Sequence, residues 1–336
     1  MRAAVLYARS DMRVVDWPDP TLEPGDVLVR VARCGVCGSD LRTFFVGPSP
    51  RYRLPAILGH EFVGIVEQIG AGVDGFAIGD RVAAAPAVPC GECSYCQRGE
   101  DNLCRNMLDF GINFEGAFAD LIRIPARLVR RGGLVKIGNA LTDADAIWGE
   151  PIGTVLHGEL RARTGPGQTV VVVGDGPIAL LHTLVAKHLG AARVHLLGQQ
   201  DYRMPIARGV GADIATINAR EIPEHDADVV IVAVSDTTAL DGAFAFVRDG
   251  GTIVAFGGTS RENQVSLPLY QLHYGEVTLT GSFNCTADDF KRALEMIPRL
   301  NLKPLAPRVV PLTKITEGFR AAYDRDVVKV VVEINH

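Results

Sequence analysis

The sequence predicts an α/β protein of two domains, one β-rich and one built on a doubly wound parallel sheet. Three observations predict it. The first part, to about residue 145, consists of short β-type runs punctuated by glycine and proline. The later part opens on Thr169-Val170-Val171-Val172-Val173, a continuous apolar run of the kind parallel sheets bury on both faces. Strand-like and helix-like stretches then alternate, the pattern of a parallel sheet covered by helices. At 336 residues the chain is also longer than one compact core usually needs.

The elements follow in order. Residues 1–7 read as a first strand, without the apolar core and cleavage site of a secretory leader. Residues 27–32 and 62–70 read as strands, and Gly79-Asp80 as a turn entering another at Arg81-Val82-Ala83. Residues 144–160 read as helical, interrupted by Pro151 and Gly153. After the valine run comes Gly174-Asp175-Gly176-Pro177-Ile178-Ala179, then a helix to Gly190 and a strand over 193–197. Further strands are expected over 228–234, 252–256 and 277–280. The tail from about Asp288 carries a helix and a strand over 327–334, expected to pack back onto the first domain.

Composition narrows the function classes. A net charge of -5 leaves no basic footprint for nucleic acid or an anionic membrane. No apolar stretch approaches the roughly 18 residues of a membrane span. Four of the seven cysteines cluster at metal-ligand spacing, which fits a reducing compartment and predicts a cytoplasmic protein.

The cluster is Cys90-x2-Cys93-x2-Cys96-x7-Cys104. Four thiolates so spaced can close a tetrahedron around one soft ion, leaving no open position, as in structural zinc sites. A second set is differently built: Gly59-His60-Glu61 before a strand, with Cys37 upstream, supplies ligand types suited to zinc. An isolated His-Glu pair is often a surface accident, so this set gains weight only from its wider context. Cys34 and Cys285 read as small buried residues.

The glycine turn has the context a dinucleotide site requires, directly after a buried strand and opening a helix. Gly174 allows the tight turn, and Gly176 lets the backbone approach a pyrophosphate at the helix N-terminus. Pro177 and Ile178 start that helix. Where NAD-binding proteins place an acid for the ribose 2′-hydroxyl, this chain has Gly198. Arg203, five residues on, is either a partner for a 2′-phosphate or a solvated helix charge. Asp201 could instead reach the ribose. The balance leans to NADP, with Gly198→Asp expected to shift preference toward NAD.

Together these motifs resemble the zinc-containing medium-chain alcohol/polyol dehydrogenase family, in particular its sorbitol-dehydrogenase-like branch. The resemblance rests on residues 34–40, 59–66 continuing to 79–82, the four cysteines and the 174–178 turn, in the family's order. It implies a GroES-like catalytic domain over 1–146 and 286–336, with a structural zinc lobe at about 88–106. It implies a Rossmann NAD(P)-binding domain over 147–285. It makes Cys37, His60, Glu61 and Glu150 candidate ligands of a catalytic zinc, the second of two zinc ions per chain. It gives Ser39 the role of taking the alcohol proton and Asp40 that of orienting His60. The implied activity is hydride transfer between NAD(P) and a secondary alcohol or ketone of a polyol, sugar or cyclitol, in a homodimer or homotetramer. Two departures stand out. Arg42 occupies the place of a relay histidine, and arginine stays protonated. Residues 281–285 lack the Arg-Tyr pair of sorbitol enzymes. Aminocyclitol and threonine-type amino-alcohol dehydrogenases are enzyme alternatives. A non-catalytic NAD(P)-binding sensor is the alternative from another class, although a sensor would need none of the proton-relay groups.

Overall fold

The structure, a computed structural model describing residues 1–335, divides into two compact units. The first comprises residues 1–153, 284–299 and 306 onward; the second comprises 154–283 and 300–305.

The first unit is built on the strand Val27–Gly35, whose alternate valines 27, 29 and 31 are fully buried. This strand pairs antiparallel with Glu61–Ile69, Leu121–Ile124 and Val330–Glu333 within a seven-stranded sheet. The register puts Gly35 opposite Glu61 and Cys34 opposite Phe62. From the other side the tail strand puts Val331 opposite Gly35. Three distant segments therefore meet at one end of one strand. A second, three-stranded sheet holds Arg2–Ala8 between Asp11–Asp16 and Ala56–Ile57. Phe44 and Phe118 each meet Phe319 edge-on, at 5.5 and 5.7 Å, so helix Gly38–Phe45 packs on helix Ile315–Tyr323.

The first unit runs to Gly153, inside a helix. Proline 151 does not interrupt a helix; it sits in the first turn of one continuous helix, Gly149–Ala162. There its missing N–H costs nothing, because first-turn N–H groups have no intrahelical acceptor. That turn seats on helix Ala287–Met296 so closely that a Cβ on Gly149 would lie 2.7 Å from Leu294 Cδ2. Small residues at 149 and 153 thus keep the start of the helix in the first unit.

The second unit is a six-stranded, all-parallel sheet. Its order is Ile214–Thr216, Arg193–Leu197, Thr169–Val173, Ala227–Val232, Val247–Ala255, Thr278–Gly281. The valine strand is central and wholly buried, as its unbroken apolar run requires. Order reverses beside it, which puts the glycine turn at a topological switch point, where doubly wound sheets bind ligands. His182 is fully buried, with Nδ1 2.7 Å from Glu159 Oε1.

His195, on strand Arg193–Leu197, is buried with neither ring nitrogen hydrogen-bonded among the described residues. Burial holds its pKa below 6.5, with Arg193 and Lys187 acting in the same sense and Asp213 and Asp226 opposing. Since the unfolded chain takes up this proton first, stability is lost as pH falls below 6.5 toward the folded-state pKa. Denaturant unfolding at pH 7.5 and 5.5 should show a smaller loss for His195→Leu than for the wild type. Equal losses would exclude this histidine as a source of acid sensitivity.

Candidate active site and metal centres

The four cysteines converge without forming disulfides. Their Sγ atoms lie within 4.8 Å of one another, with Cys93–Cys96 at 3.6 Å and Cys90–Cys96 and Cys93–Cys104 at 3.9 Å. A tetrahedron with zinc–sulfur bonds of about 2.3 Å has edges of about 3.8 Å. The thiols already stand at the spacing a zinc ion imposes. Cys93 caps the short helix Ser94–Gln97, and the N–H groups of Cys96 and Arg105 pull its thiol down to about 6. The N–H groups of Glu92 and Cys93 lower Cys90 in the same way, while burial raises Cys96 and Cys104. Arg131 fastens the lobe, donating to both Asp101 oxygens at 2.8 Å and to the Cys96 carbonyl at 3.4 Å.

The second set is open. One donor atom each from Cys37, His60 and Glu61 lies within 4.8 Å of the other two. Cys37 is the N-cap of helix Gly38–Phe45, and His60 directly precedes strand Glu61–Ile69. Asp40 joins the two loops: its Oδ2 accepts from the Cys37 N–H at 2.9 Å and its Oδ1 from the Gly59 N–H at 3.3 Å. Gly59 has φ +94°, and a Cβ there would lie 2.9 Å from Cys34 Sγ. Only glycine brings His60 in at this angle.

The family resemblance gives Asp40 the role of orienting His60. In the structure Oδ1 is 3.8 Å from His60 Nδ1, beyond hydrogen-bond reach, and Nδ1 has no hydrogen-bond partner among the described residues. The carboxylate acts on the imidazole through charge and on the ligand loops through hydrogen bonds. Burial disfavours the imidazolium, but Asp40 and Cys37 outweigh it and raise the His60 pKa well above 6.5. Ser39 is half-buried in the first turn of the same helix, and Arg42 is exposed one turn further on.

Glu150, half-buried at the start of its helix, is outside the close triad but near enough for its charge to raise both His60 and Lys329. Lys329 is a residue the sequence reading missed. It is 4% exposed, ion-paired to Glu61 Oε2, and 5.5 Å from the Trp148 ring centre. Burial would lower its pKa, yet Glu61 and Cys37 raise it, so it stays charged. The available signal was a lone lysine inside the valine run 327–332. Tyr52 stands nearby. Its hydroxyl is hydrogen-bonded to the Thr43 side chain, burial pushes its pKa up to about 12, and the charges of Asp40 and Cys37 act on it.

In the second unit, Gly174 takes φ +127° and Gly176 caps helix Pro177–His188, with Pro177 and Ile178 in its first turn. A Cβ on Gly176 would meet nothing within 4 Å, so the turn leaves space for a ligand to approach the backbone. A cavity of about 130 Å³ lies beyond the ends of strands Ala227–Val232 and Val247–Ala255, lined by Val234, Asp236 and Asn263 among others.

Arg203 is not a solvated helix charge. It is 3% exposed, and its Nη1 donates to the Asp175 carbonyl at 3.0 Å. At Gly198 a Cβ would lie 2.6 Å from Met204 Cε, the end of a flexible side chain, and 2.9 Å from Asp175 Cβ, so a larger residue there requires these neighbours to shift. Asp201 is exposed.

The family signature described as alcohol dehydrogenase GroES-like domain matches residues 23–132, and that described as zinc-binding dehydrogenase matches 177–299. The chain is 31% identical over 335 residues to the "probable D-xylulose reductase A" of Aspergillus clavatus, covering 94% of this chain and 92% of the relative. It is 30% identical over 310 residues to the sorbitol dehydrogenase of Bacillus subtilis, covering 88% and 86%. A candidate zinc-binding dehydrogenase from Sinorhizobium meliloti 1021, solved bound to NADP, superposes with a TM-score of 0.90 at 28% identity, covering 99% and 98%. With two donor sets, a dinucleotide turn and full-length relatives in agreement, this chain is an enzyme of the zinc-binding medium-chain alcohol/polyol dehydrogenase family.

Proposed function

We propose that the chain is a zinc-dependent NAD(P) dehydrogenase that interconverts a secondary alcohol of a polyol, sugar or cyclitol with its ketone. The observation that carries this reading is the contrast between its donor sets: one closed by four sulfurs, one left open beside a serine. The closed set holds a structural zinc. The open set, Cys37, His60 and Glu61 with Glu150 close by, suits a catalytic zinc, which supplies Lewis acidity toward a substrate oxygen.

The chain's own residues do the rest. Asp40 keeps the Cys37 and His60 loops in register, and Lys329 holds one Glu61 oxygen. Ser39 takes the alcohol proton. Arg42, permanently protonated, cannot pass that proton on, so water completes its route to solvent. The turn from Gly174 through Gly176 and the start of its helix seat the dinucleotide pyrophosphate. Arg203 is buried beside this turn, with Nη1 donating to the main-chain carbonyl of Asp175. The seven free thiols suit the cytoplasm, and a homodimer or homotetramer is the assembly we expect.

The test is a turnover screen on zinc-replete protein with polyols, inositols, aminocyclitols, simple secondary alcohols and threonine, each with NAD and with NADP. A polyol or cyclitol should turn over. Cys37→Ser should lose roughly a hundredfold or more in kcat/KM while still binding cofactor, since a lost metal ligand affects the chemical step. Dinucleotide binding with no turnover of any alcohol or ketone would favour a sensor.

A further inference from the structure

We infer that Asp175 determines dinucleotide choice, its carboxylate occupying the place where a 2′-phosphate would bind, so that the chain prefers NAD. The inference rests on the reading of residues 174–178 as a dinucleotide site.

After strand Arg193–Leu197 the backbone N–H groups of Gln199 and Gln200 both point at Asp175 Oδ2, each at 2.7 Å. Successive N–H groups aimed at one point form an anion-binding concavity. Here that concavity is filled from within by a carboxylate of the glycine turn. Its position is informative. A Cβ on Gly198 would lie 3.0 Å from Asp175 Oδ2. The carboxylate therefore sits where a strand-end acid, the usual partner of a ribose 2′-hydroxyl, would project. The chain lacks an acid in the strand but supplies one to the same place from the neighbouring turn.

Two consequences follow for a 2′-phosphate. The donors it would use are already engaged by Asp175. Its charge would also face a buried carboxylate across a short distance, where screening by water is weak. Nor is Arg203 turned outward to compensate: it is buried, with Nη1 on the Asp175 carbonyl and Nε 3.3 Å from the Tyr202 hydroxyl. The loop 198–203 is closed around one acid.

The experiment is calorimetric titration of zinc-replete, full-length protein with ADP and with adenosine 2′,5′-bisphosphate, followed by NAD and NADP. The wild type should bind NAD at least tenfold more tightly than NADP. Asp175→Asn should narrow that ratio at least tenfold by gaining affinity for both 2′-phosphorylated ligands, with ADP changed less than threefold. Asp175→Ser, checked for folding by circular dichroism, should act likewise, and Asp175→Glu should retain the preference for NAD. A wild type that prefers NADP, or ratios unchanged in both folded variants, would overturn the role of Asp175. A wild type binding neither ADP nor NAD would overturn the dinucleotide site itself, and this inference with it.

Discussion

Replacing Cys96 with serine is expected to reduce bound zinc from two ions per chain to one and to lower the thermal midpoint by about 10 °C. Four sulfurs within 4.8 Å of one another, three of their separations being 3.6–3.9 Å, are a poor arrangement without a cation between them. Cys90 and Cys93 are biased toward thiolate by backbone N–H groups, so an empty lobe would place anionic sulfurs side by side. A structural zinc offsets that repulsion, and its binding free energy becomes folding free energy, of the order of 10 kcal/mol in isolated zinc fingers. Arg131 and Asp101 still anchor the lobe here, so the loss should be smaller, about 3 kcal/mol. For a domain of this size that corresponds to roughly 10 °C. Metal analysis together with calorimetry checks both parts. Retention of two zinc ions, or an unchanged midpoint, would contradict a structural metal at this lobe.

Lys329→Met should cost about 3–5 kcal/mol, because it leaves the buried Glu61 carboxylate without its counter-charge. Both partners are almost inaccessible, so solvent cannot take the place of the ammonium. Adding Glu61→Gln to Lys329→Met should recover much of that stability, since replacing both members of a buried pair is far less costly than stranding one. A positional role for Lys329 would show beyond stability. An unrestrained Glu61 changes the donor geometry beside Cys37 and His60, so kcat should fall more than KM rises. Lys329→Arg should restore part of it. If the single variant is no less stable than the double, the pair does not act as described.

The parts legible in the sequence are those whose geometry is local. The cysteine lobe spans fifteen residues, and its spacing alone dictates which sulfurs can meet. The dinucleotide turn is one strand, one turn and the start of one helix, and its glycines declare the backbone shape. The valine run announced a central strand because such a run is stable only when both faces are covered. Local reading failed where a residue's role came from a neighbour far along the chain. Arg203 read as either a solvated helix charge or a phosphate partner, and the fold removes the first by burying it with Nη1 on the Asp175 carbonyl. Pro151 looked like a helix breaker until its position in the first turn was known.

By itself, the sequence determined the fold class and pointed to the four-cysteine lobe, the glycine turn and the residues able to form a second donor set. Each follows from short-range spacing and the side-chain chemistry of a few neighbours. Tertiary structure decided which groups control those sites. Lys329 reaches Glu61 across 268 residues because the tail strand pairs with Val27–Gly35 in one register. Asp40 links two loops that only the fold brings together, and Asp175 fills a concavity formed by Gln199 and Gln200. Register, burial and charge pairing are long-range properties, set by how strands and turns pack, and no window of the sequence contains them.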